Sequence, residues 1–279
     1  MAGMVFVGFR LYSYSLEVNI LQIATTSWMF IVILSIIYGA ANFFLANAWW
    51  HLLQNFRLPV SPLESTRIFG ISQLAKYVPG NIFHLAGRQA LGMAAGLPPQ
   101  ALAKSMVWEL GLLAVAATQF GWLILPLIMP HFSESTALYL FLASVGLSGA
   151  VIQVIFGQHF VYSFLWKMLF MLVSGLIFII LLSIISDGEG LTVWNWLTIG
   201  GTYIAAWLVG FVTPGAPAGV GVREFILLFM LNGMVGETNL LLAVLLGRLV
   251  TVVGDLSFFA FANTISIKLG GFEKNDVSR

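Results

Sequence analysis

Two twelve-residue stretches decide the fold of this chain. Residues 77–88 read YVPGNIFHLAGR, and residues 212–223 read VTPGAPAGVGVR. A shift of 135 positions aligns three identities between them, Pro79 with Pro214, Gly80 with Gly215 and Arg88 with Arg223. Both stretches lie in otherwise apolar sequence. A proline-broken segment that carries an arginine and occurs twice is typical of the core of a membrane transporter.

The composition around these stretches is that of an integral membrane protein. Of the 279 residues, 59% are hydrophobic and 8% are charged, and the mean hydropathy is +0.97. Because soluble domains carry about a quarter of their residues as charged side chains, this chain has too few to cover a water-facing surface. The net charge of +1, with no basic run, does not favour a nucleic-acid partner. The lack of cysteine excludes disulfides and cysteine metal sites.

Six apolar stretches are long enough to cross a bilayer as helices, which takes about 20 residues each. The predicted spans are Trp28–Trp50, Ala101–Met129, Thr136–Phe156, Phe160–Ser186, Trp194–Val212 and Leu240–Leu269. The predicted fold class is therefore all-α, a polytopic membrane helix bundle. We assign residues 1–279 to one integral-membrane domain, with repeat halves at about 28–130 and 194–269.

Two further segments, residues 65–96 and 213–236, do not resemble simple spans. Proline lacks a backbone N–H and glycine leaves the backbone uncovered, so a helix is expected to break at each Pro-Gly pair. Backbone freed in this way inside a membrane must be buried in protein or line a wet cavity. We therefore predict two repeated re-entrant, broken helical segments that meet inside the bundle.

Basic residues predict the orientation in the membrane. Arg57 and Arg67 follow the first span, and the order of spans places Lys104 and Lys167 on the same side. The loops on the opposite side carry acidic residues. The positive-inside rule then places the basic side in the cytoplasm.

Eight charged residues fall within the predicted membrane segments, namely Lys76, Arg88, Lys104, Glu109, Arg223, Glu224, Arg248 and Asp255. Each costs about 2.5–3.5 kcal/mol at the centre of a spanning helix, so such groups are expected to pair, to line water or to bind a ligand. Five are positive and three are negative, and the surplus suits an anionic group such as phosphate. The planar fork of arginine binds two phosphate oxygens at once.

These charges divide into two predicted roles. The predicted substrate-binding residues are Lys76, Pro79, Gly80, Arg88, Pro214, Gly215 and Arg223. The predicted gating ion pairs involve Glu109, Glu224, Arg248 and Asp255. Arg248 and Asp255 are seven residues apart and share one helix face, whereas the partner of Glu224 is expected on another segment. For Lys76 and Lys104 the alternative is a side chain that extends to the membrane interface without a further role.

Catalytic, metal-binding and cofactor motifs are not evident. No pair of His, Asp or Glu has the helical spacing of a metal site, and there is no nucleophile elbow, P-loop or dinucleotide fingerprint. His84 is the one histidine inside a broken segment, where a lone histidine is more often a hydrogen-bonded packing residue than a ligand. We therefore expect no catalytic residues, no metal and no cofactor.

The signature stretches resemble a known family. Residues 213–224, TPGAPAGVGVRE, and residues 241–251, LLAVLLGRLVT, are similar to the second signature of the lysylphosphatidylglycerol synthase transmembrane, flippase-like family. Residues 73–80, QLAKYVPG, with the Gly-Arg pair at 87–88, resemble its first signature. The resemblance covers roughly residues 5–268. It departs from the family pattern at residues 216–218, Ala-Pro-Ala, which interrupt the usual glycine pair.

The resemblance implies a helical bundle with two re-entrant repeats and a role in lipid translocation. In family members with an attached synthase domain, the membrane part moves aminoacylated phosphatidylglycerol between leaflets. This chain is expected to be a stand-alone member without that domain. Stand-alone relatives are associated with envelope polysaccharide and polyprenyl-linked sugar pathways, and the Lys-Tyr-Val-Pro-Gly version of the first signature is more similar to theirs.

The function expected from these features is that of a transporter and not of an enzyme. We expect a lipid flippase that moves an anionic phospholipid, polyprenyl phosphate or polyprenyl-linked glycan between leaflets. The expected location is the cytoplasmic membrane of a prokaryote. The expected partners are that lipid and an envelope glycosyltransferase or synthase, and a homo-oligomer is left open.

Two alternatives stay open at the level of sequence. The chain could be a membrane-embedded transferase or hydrolase on a lipid-linked substrate, with Glu109, Glu224, Asp255 and His84 as acid–base groups. It could also be a non-transporting scaffold for a glycosyltransferase, in which case the buried charges would tolerate neutral replacement.

Overall fold

The computed structural model describes residues 25–78, 82–186, 192–213 and 219–265. The two predicted helix breaks, Pro79-Gly80 and Pro214-Gly215, lie outside these residues, and so does the end of the last predicted span. The described chain is helical apart from short connections, and no β-strand forms within it. The all-α prediction is confirmed, while the re-entrant course of the broken segments stays a prediction.

The described chain forms a series of α-helices and two 3-10 turns. The helices are α1 Thr25–Asn55, α2 Pro62–Gln73, α3 Phe83–Ala94, α4 Pro99–Gln119, α5 Leu125–Ile128, α6 Glu134–Phe156, α7 Gln158–Ile185, α8 Val193–Val212, α9 Val222–Met230 and α10 Glu237–Thr264. The 3-10 turns are Leu74–Tyr77, which continues α2, and Phe120–Ile124, which joins α4 to α5.

Six helical stretches in the described chain are long and apolar enough to cross a membrane. They are Trp28–Asn55, Pro99–Ile128, Glu134–Phe156, Gln158–Ile185, Val193–Val212 and Glu237–Thr264. Each coincides with one of the six predicted spans, because an uninterrupted apolar run of this length has few other stable placements. The chain is therefore an integral membrane protein.

Three long helices, α1, α7 and α10, pack against one another at the centre of the bundle. Gly39 on α1 and Gly254 on α10 meet where these two helices cross. A Cβ atom on Gly254 would lie 2.7 Å from the backbone oxygen of Ser35, so a larger side chain would force the helices apart. This close crossing keeps the next residue, Asp255, fully buried.

The order of helices in the first part of the chain recurs in the second part. A long helix, a second helix, a short helix and another long helix form α1 to α4, and the same order forms α7 to α10. The 135-residue shift superimposes the sequence range of α3 largely on that of α9, and that of α4 on that of α10. We call α3–α4 the first hairpin and α9–α10 the second hairpin. Between the two sets, α6 is mostly exposed.

Candidate functional site

The segment before the first break brings two polar residues into the bundle. A capping box fixes the beginning of α2, because the Ser61 hydroxyl accepts from the Glu64 amide and the Glu64 carboxylate accepts from the Ser61 amide. At its other end α2 tightens into the 3-10 turn. This turn places Lys76 and Tyr77 at the interior, where Tyr77 is buried.

In the first hairpin, Arg88 on α3 is enclosed by protein groups. Its Nη1 atom lies 2.6 and 2.5 Å from the two carboxylate oxygens of Glu109 on α4. Its Nε donates to the Ser72 hydroxyl at 3.4 Å. The guanidinium carbon lies 3.8 Å from the centre of the Phe69 ring and 5.3 Å from that of Trp49. With 1% of its surface exposed, Arg88 already has its charge compensated by Glu109.

The second hairpin holds an ion pair with the opposite polarity. Here the acid, Glu224, is on the short helix α9, and its Oε1 atom lies 2.6 Å from Nε of Arg248 on α10. Its Oε2 atom accepts from the Gly221 amide at 2.6 Å. Gly221 has a φ of +90°, which glycine adopts readily. Burial alone would raise the pKa of Glu224, but Arg248 and these hydrogen bonds lower it overall.

A third ion pair joins the two halves of the chain. Asp255 on α10 is fully buried and lies 2.7 Å from Nζ of Lys76. The same carboxylate accepts from the Tyr77 hydroxyl at 2.5 Å and from the Asn42 amide at 3.3 Å. Asp255 and Arg248 therefore bind different elements of the structure. Spacing along α10 could not predict this, because the partner depends on which neighbouring helix each residue meets.

Arg223 at the beginning of α9 differs from the other buried arginines. Only 7% of it is exposed, and its guanidinium carbon lies 4.2 Å from the centre of the Tyr203 ring. No carboxylate of the described residues forms an ion pair with it. Its charge is instead held by a cation–π contact, and the residue lines a cavity.

This cavity lies between the two hairpins and the turn that carries Lys76. Its volume is about 100 Å³, and it is partly open to the surroundings. The charged residues in its wall are Lys76, Arg88, Arg223, Arg248 and Glu109. The stacked rings of Trp207 and Phe211, 5.2 Å apart, form an aromatic part of the wall. Predicted binding and gating residues from both halves of the chain therefore lie at this one cavity. Glu224 and Asp255 do not line it, but each is paired with a cation of its wall.

Lys104 lies outside this group, although it is part of the candidate span Pro99–Ile128. It is exposed in the first turns of α4, where a long side chain reaches the helix end. A different lysine, Lys167, is buried among the membrane helices. This lysine lies well inside α7, is 1% exposed and donates to the Ser163 hydroxyl at 2.9 Å.

Lys167 is buried inside the span Gln158–Ile185 and does not lie in a loop, while the orientation of the chain in the membrane stays a prediction. Packing of α1 and α4 against α7 covers the side chain, which is close enough to Glu109 and Arg88 to interact with both electrostatically. The signal available in the sequence was its position several residues inside a predicted span. With Lys167 counted instead of the exposed Lys104, the set of charges inside the described bundle again contains five cations and three carboxylates.

His84 also lines the cavity, which the sequence did not predict. It is 8% exposed, and its Nδ1 atom has no hydrogen-bond partner within the described chain. Burial, together with the charges of Arg88 and Lys76, lowers the pKa of His84 to about 3. The hydrogen bond expected of a packing histidine is therefore absent at Nδ1 among the described residues. Across the described residues, no group of three or more potential ligands is arranged to hold a metal ion.

Comparison with protein-family models and with curated proteins gives no match to this chain. The resemblance of the two signature stretches therefore stays an expectation, and the function has to be argued from the geometry and charge of the cavity.

Proposed function

We propose that this protein is a lipid flippase-like transporter that moves an anionic lipid between membrane leaflets. The lipid classes considered are a phospholipid, a polyprenyl phosphate and a polyprenyl-linked glycan. One observation carries the proposal, which is that four cations and a single carboxylate line one cavity in a bundle of apolar helices. Buried carboxylates pair with three of these cations, and Arg223 is the one whose charge no described carboxylate pairs with. An unpaired charge inside a membrane protein is costly unless an anion or water compensates it.

The cavity offers a different contact to each part of a lipid. Arg223 would bind the phosphate first, since its guanidinium has no carboxylate partner in the described chain. Trp207 and Phe211 would contact the apolar part next to the headgroup. The acyl or prenyl chains would remain in the surrounding lipid, so that the protein needs to enclose only the headgroup.

The two short helices would act as the arms of the transport site. His84 and Arg223 lie in the first turns of α3 and α9, and both line the cavity. If the two Pro-Gly breaks make these helices re-entrant, the backbone N–H groups at their N-termini would face the headgroup as well. This arrangement supports our proposal that the chain belongs to the flippase-like family.

Exchange of ion pairs would open the cavity to one leaflet and then to the other. The Lys76–Asp255 pair joins the first half to α10, and each hairpin is held by its own pair. An anion in the cavity would compete with the carboxylates for Lys76 and Arg248. Binding would thereby loosen the contact between the halves, and release of the lipid would restore it.

Transport is favoured over acid–base catalysis because the carboxylates of the site are already occupied. Glu109, Glu224 and Asp255 each bind a cation at 2.7 Å or less. A general base needs a carboxylate oxygen within hydrogen-bond reach of the substrate proton, and these oxygens are already bound to cations. We further propose the cytoplasmic membrane of a prokaryote as the location and an envelope glycosyltransferase or synthase as a partner.

The test is leaflet exchange by the purified protein in liposomes. Fluorescent phosphatidylglycerol and a fluorescent polyprenyl phosphate would be placed in both leaflets, and the outer leaflet would be quenched chemically. We expect the wild-type protein to expose the inner pool and the Arg223→Gln variant to lose this activity. Lys104→Gln removes a positive charge outside the cavity and serves as the matched control.

Three outcomes would count against the proposal. Equal exchange by the wild-type protein and Arg223→Gln would reject Arg223 as the headgroup ligand. Lack of exchange of either lipid by the wild-type protein would reject translocation of these lipid classes. Chemical turnover of the lipid in detergent, without two leaflets, would favour the enzyme alternative.

A further inference from the structure

We propose that the cavity selects a headgroup with two negative charges, a phosphate monoester or a diphosphate, over a singly charged phosphodiester. The inference rests on the proposed function and narrows its substrate class. It distinguishes polyprenyl phosphates and diphosphate-linked glycans from ordinary phospholipids such as phosphatidylglycerol, whose phosphate is a diester.

The first argument is the charge balance of the buried set. Five cations surround or line the cavity, and three carboxylates of the described chain each neutralise one of them. The two cations without a carboxylate in hydrogen-bond contact are Arg223 and Lys167. A monoanion would compensate one of these charges and leave the other buried, whereas a dianion compensates both.

The second argument is the number of hydrogen-bond donors that lack an acceptor. The guanidinium of Arg223 can bind two oxygens of one phosphate in its planar fork. His84 adds Nδ1, which is buried and lacks a partner among the described residues. In the tautomer with hydrogen on Nδ1, it donates to a third oxygen. A phosphate monoester has three unsubstituted oxygens, and a diphosphate has more, but a diester has only two.

The third argument concerns the distance over which Lys167 acts. Lys167 does not line the cavity, yet it interacts electrostatically with Glu109 and Arg88, which do. Charges in a medium of low polarity interact over several ångströms. Lys167 is therefore a specificity-determining residue whose charge acts on the headgroup at a distance, whereas Arg223 and His84 contact the headgroup directly.

The test compares two probes that differ in one charge. Dodecyl phosphate and its methyl ester would be titrated against the purified protein in dodecyl maltoside micelles at pH 7.0. At this pH a phosphate monoester carries two charges, because its second pKa is about 6. We expect the wild-type protein to bind the monoester at least about tenfold more tightly than the diester.

A matched pair of variants tests the second charge. Lys167→Met removes the buried lysine, and Lys104→Met makes the same change at an exposed lysine. We expect Lys167→Met to reduce the preference for the monoester to less than about threefold while diester binding is retained. Lys104→Met should keep the full preference. Lys167→Arg retains the charge and should retain the preference, which separates the loss of charge from a disturbed fold.

A second pair of variants tests the histidine. The side-chain amide nitrogen of Asn lies near the position of Nδ1 in His and can donate in the same direction. We therefore expect His84→Asn to keep the preference and His84→Phe to weaken monoester binding by about tenfold or more. Equal binding of the monoester by these two variants would overturn the role of Nδ1.

The decisive results are independent of transport, because binding in micelles needs no second leaflet. Equal affinities of the wild-type protein for both probes, or no binding of the monoester, would overturn the inference. A preference unchanged by Lys167→Met would also overturn the assignment of the second charge. If the preference is found but leaflet exchange is not, translocation is rejected and charge selection stands. If exchange occurs with equal affinities, only charge selection is rejected.

Discussion

The two hairpins carry an arginine at equivalent positions, and the structure treats the two arginines differently. Arg88 in the first hairpin binds Glu109, which lies 21 residues later in the chain. The residue 21 positions after Arg223 is Val244, which cannot accept a hydrogen bond through its side chain. Arg223 is therefore left with the ring of Tyr203. The equivalent arginine has a structural partner in one hairpin and none among the described acids in the other.

Each hairpin nevertheless holds one buried ion pair between its short and its long helix. In the first hairpin the base is on the short helix, and in the second the base is Arg248 on the long helix. In each hairpin the ion pair stabilises the packing of its two helices. Arg223, the repeated arginine of the second hairpin, does not take part in that pair. The comparison shows that a repeated scaffold can keep its internal ion pair while the repeated arginine of one copy has no ion pair among the described residues.

The largest expected effect comes from breaking the ion pair of the first hairpin. Glu109→Leu would leave the charge of Arg88 buried without a partner, at a cost of about 3–5 kcal/mol. The double replacement Arg88→Leu with Glu109→Leu removes both charges and should recover most of that loss. Thermal unfolding in detergent, followed by tryptophan fluorescence, measures the difference between the two variants.

The matched change in the second hairpin is Arg223→Leu. It breaks no ion pair of the described chain and removes only the cation–π contact with Tyr203, so we expect it to cost about 2 kcal/mol at most, less than Glu109→Leu. A loss of stability as large as that of Glu109→Leu would show that Arg223 has the same structural role as Arg88, against the comparison drawn above.

A second prediction makes the second hairpin resemble the first. Val244 and Arg223 line one very small cavity together with Glu224 and Arg248, so a carboxylate introduced at position 244 would lie near the guanidinium of Arg223. Val244→Glu should neutralise Arg223 and reduce leaflet exchange by about tenfold or more, since a lost charge contact of about 1.4 kcal/mol has this effect. Val244→Gln has nearly the same shape without the charge and should transport normally. Similar transport by both variants would contradict the role of the free charge of Arg223.

The last prediction concerns the pH dependence of stability and His84, whose equivalent in the second half is Gly219. Its pKa of about 3 in the folded protein lies below the ordinary value of 6.5. The unfolded chain therefore binds a proton first as the pH falls, and stability is lost between about pH 6.5 and pH 3. At pH 5 the expected loss is about 2 kcal/mol.

Comparison of the wild-type protein with His84→Asn isolates this contribution. The wild-type protein should lose stability relative to the variant between pH 7.5 and pH 5, as measured by thermal unfolding in the same detergent. An identical dependence on pH in both proteins would show that His84 is not held in its neutral form by burial and by its cationic neighbours.

Much of the site was predictable because buried charges are rare in apolar sequence. Arg88, Glu109, Arg223, Glu224, Arg248 and Asp255 were all identified as membrane-embedded charges, and all are buried. Lys104 is in the predicted set but exposed, and Lys167 is buried but not in the predicted set, because the sequence does not show which side chains the neighbouring helices cover. The unsatisfied Nδ1 atom of His84 was missed for a related reason. Whether a polar atom finds a partner depends on its direction in the folded protein.

The sequence by itself determined the all-helical membrane class and the six spans, because the length of an apolar run fixes how it can be placed in a bilayer. It also determined where the unusual charges lie along the chain. Only the tertiary structure decided their partners. Glu109 binds Arg88, Glu224 binds Arg248 and Asp255 binds Lys76, while Arg223 faces the cavity. Helical periodicity specifies the face of a residue, but the residue opposite that face is set by the packing and register of whole helices.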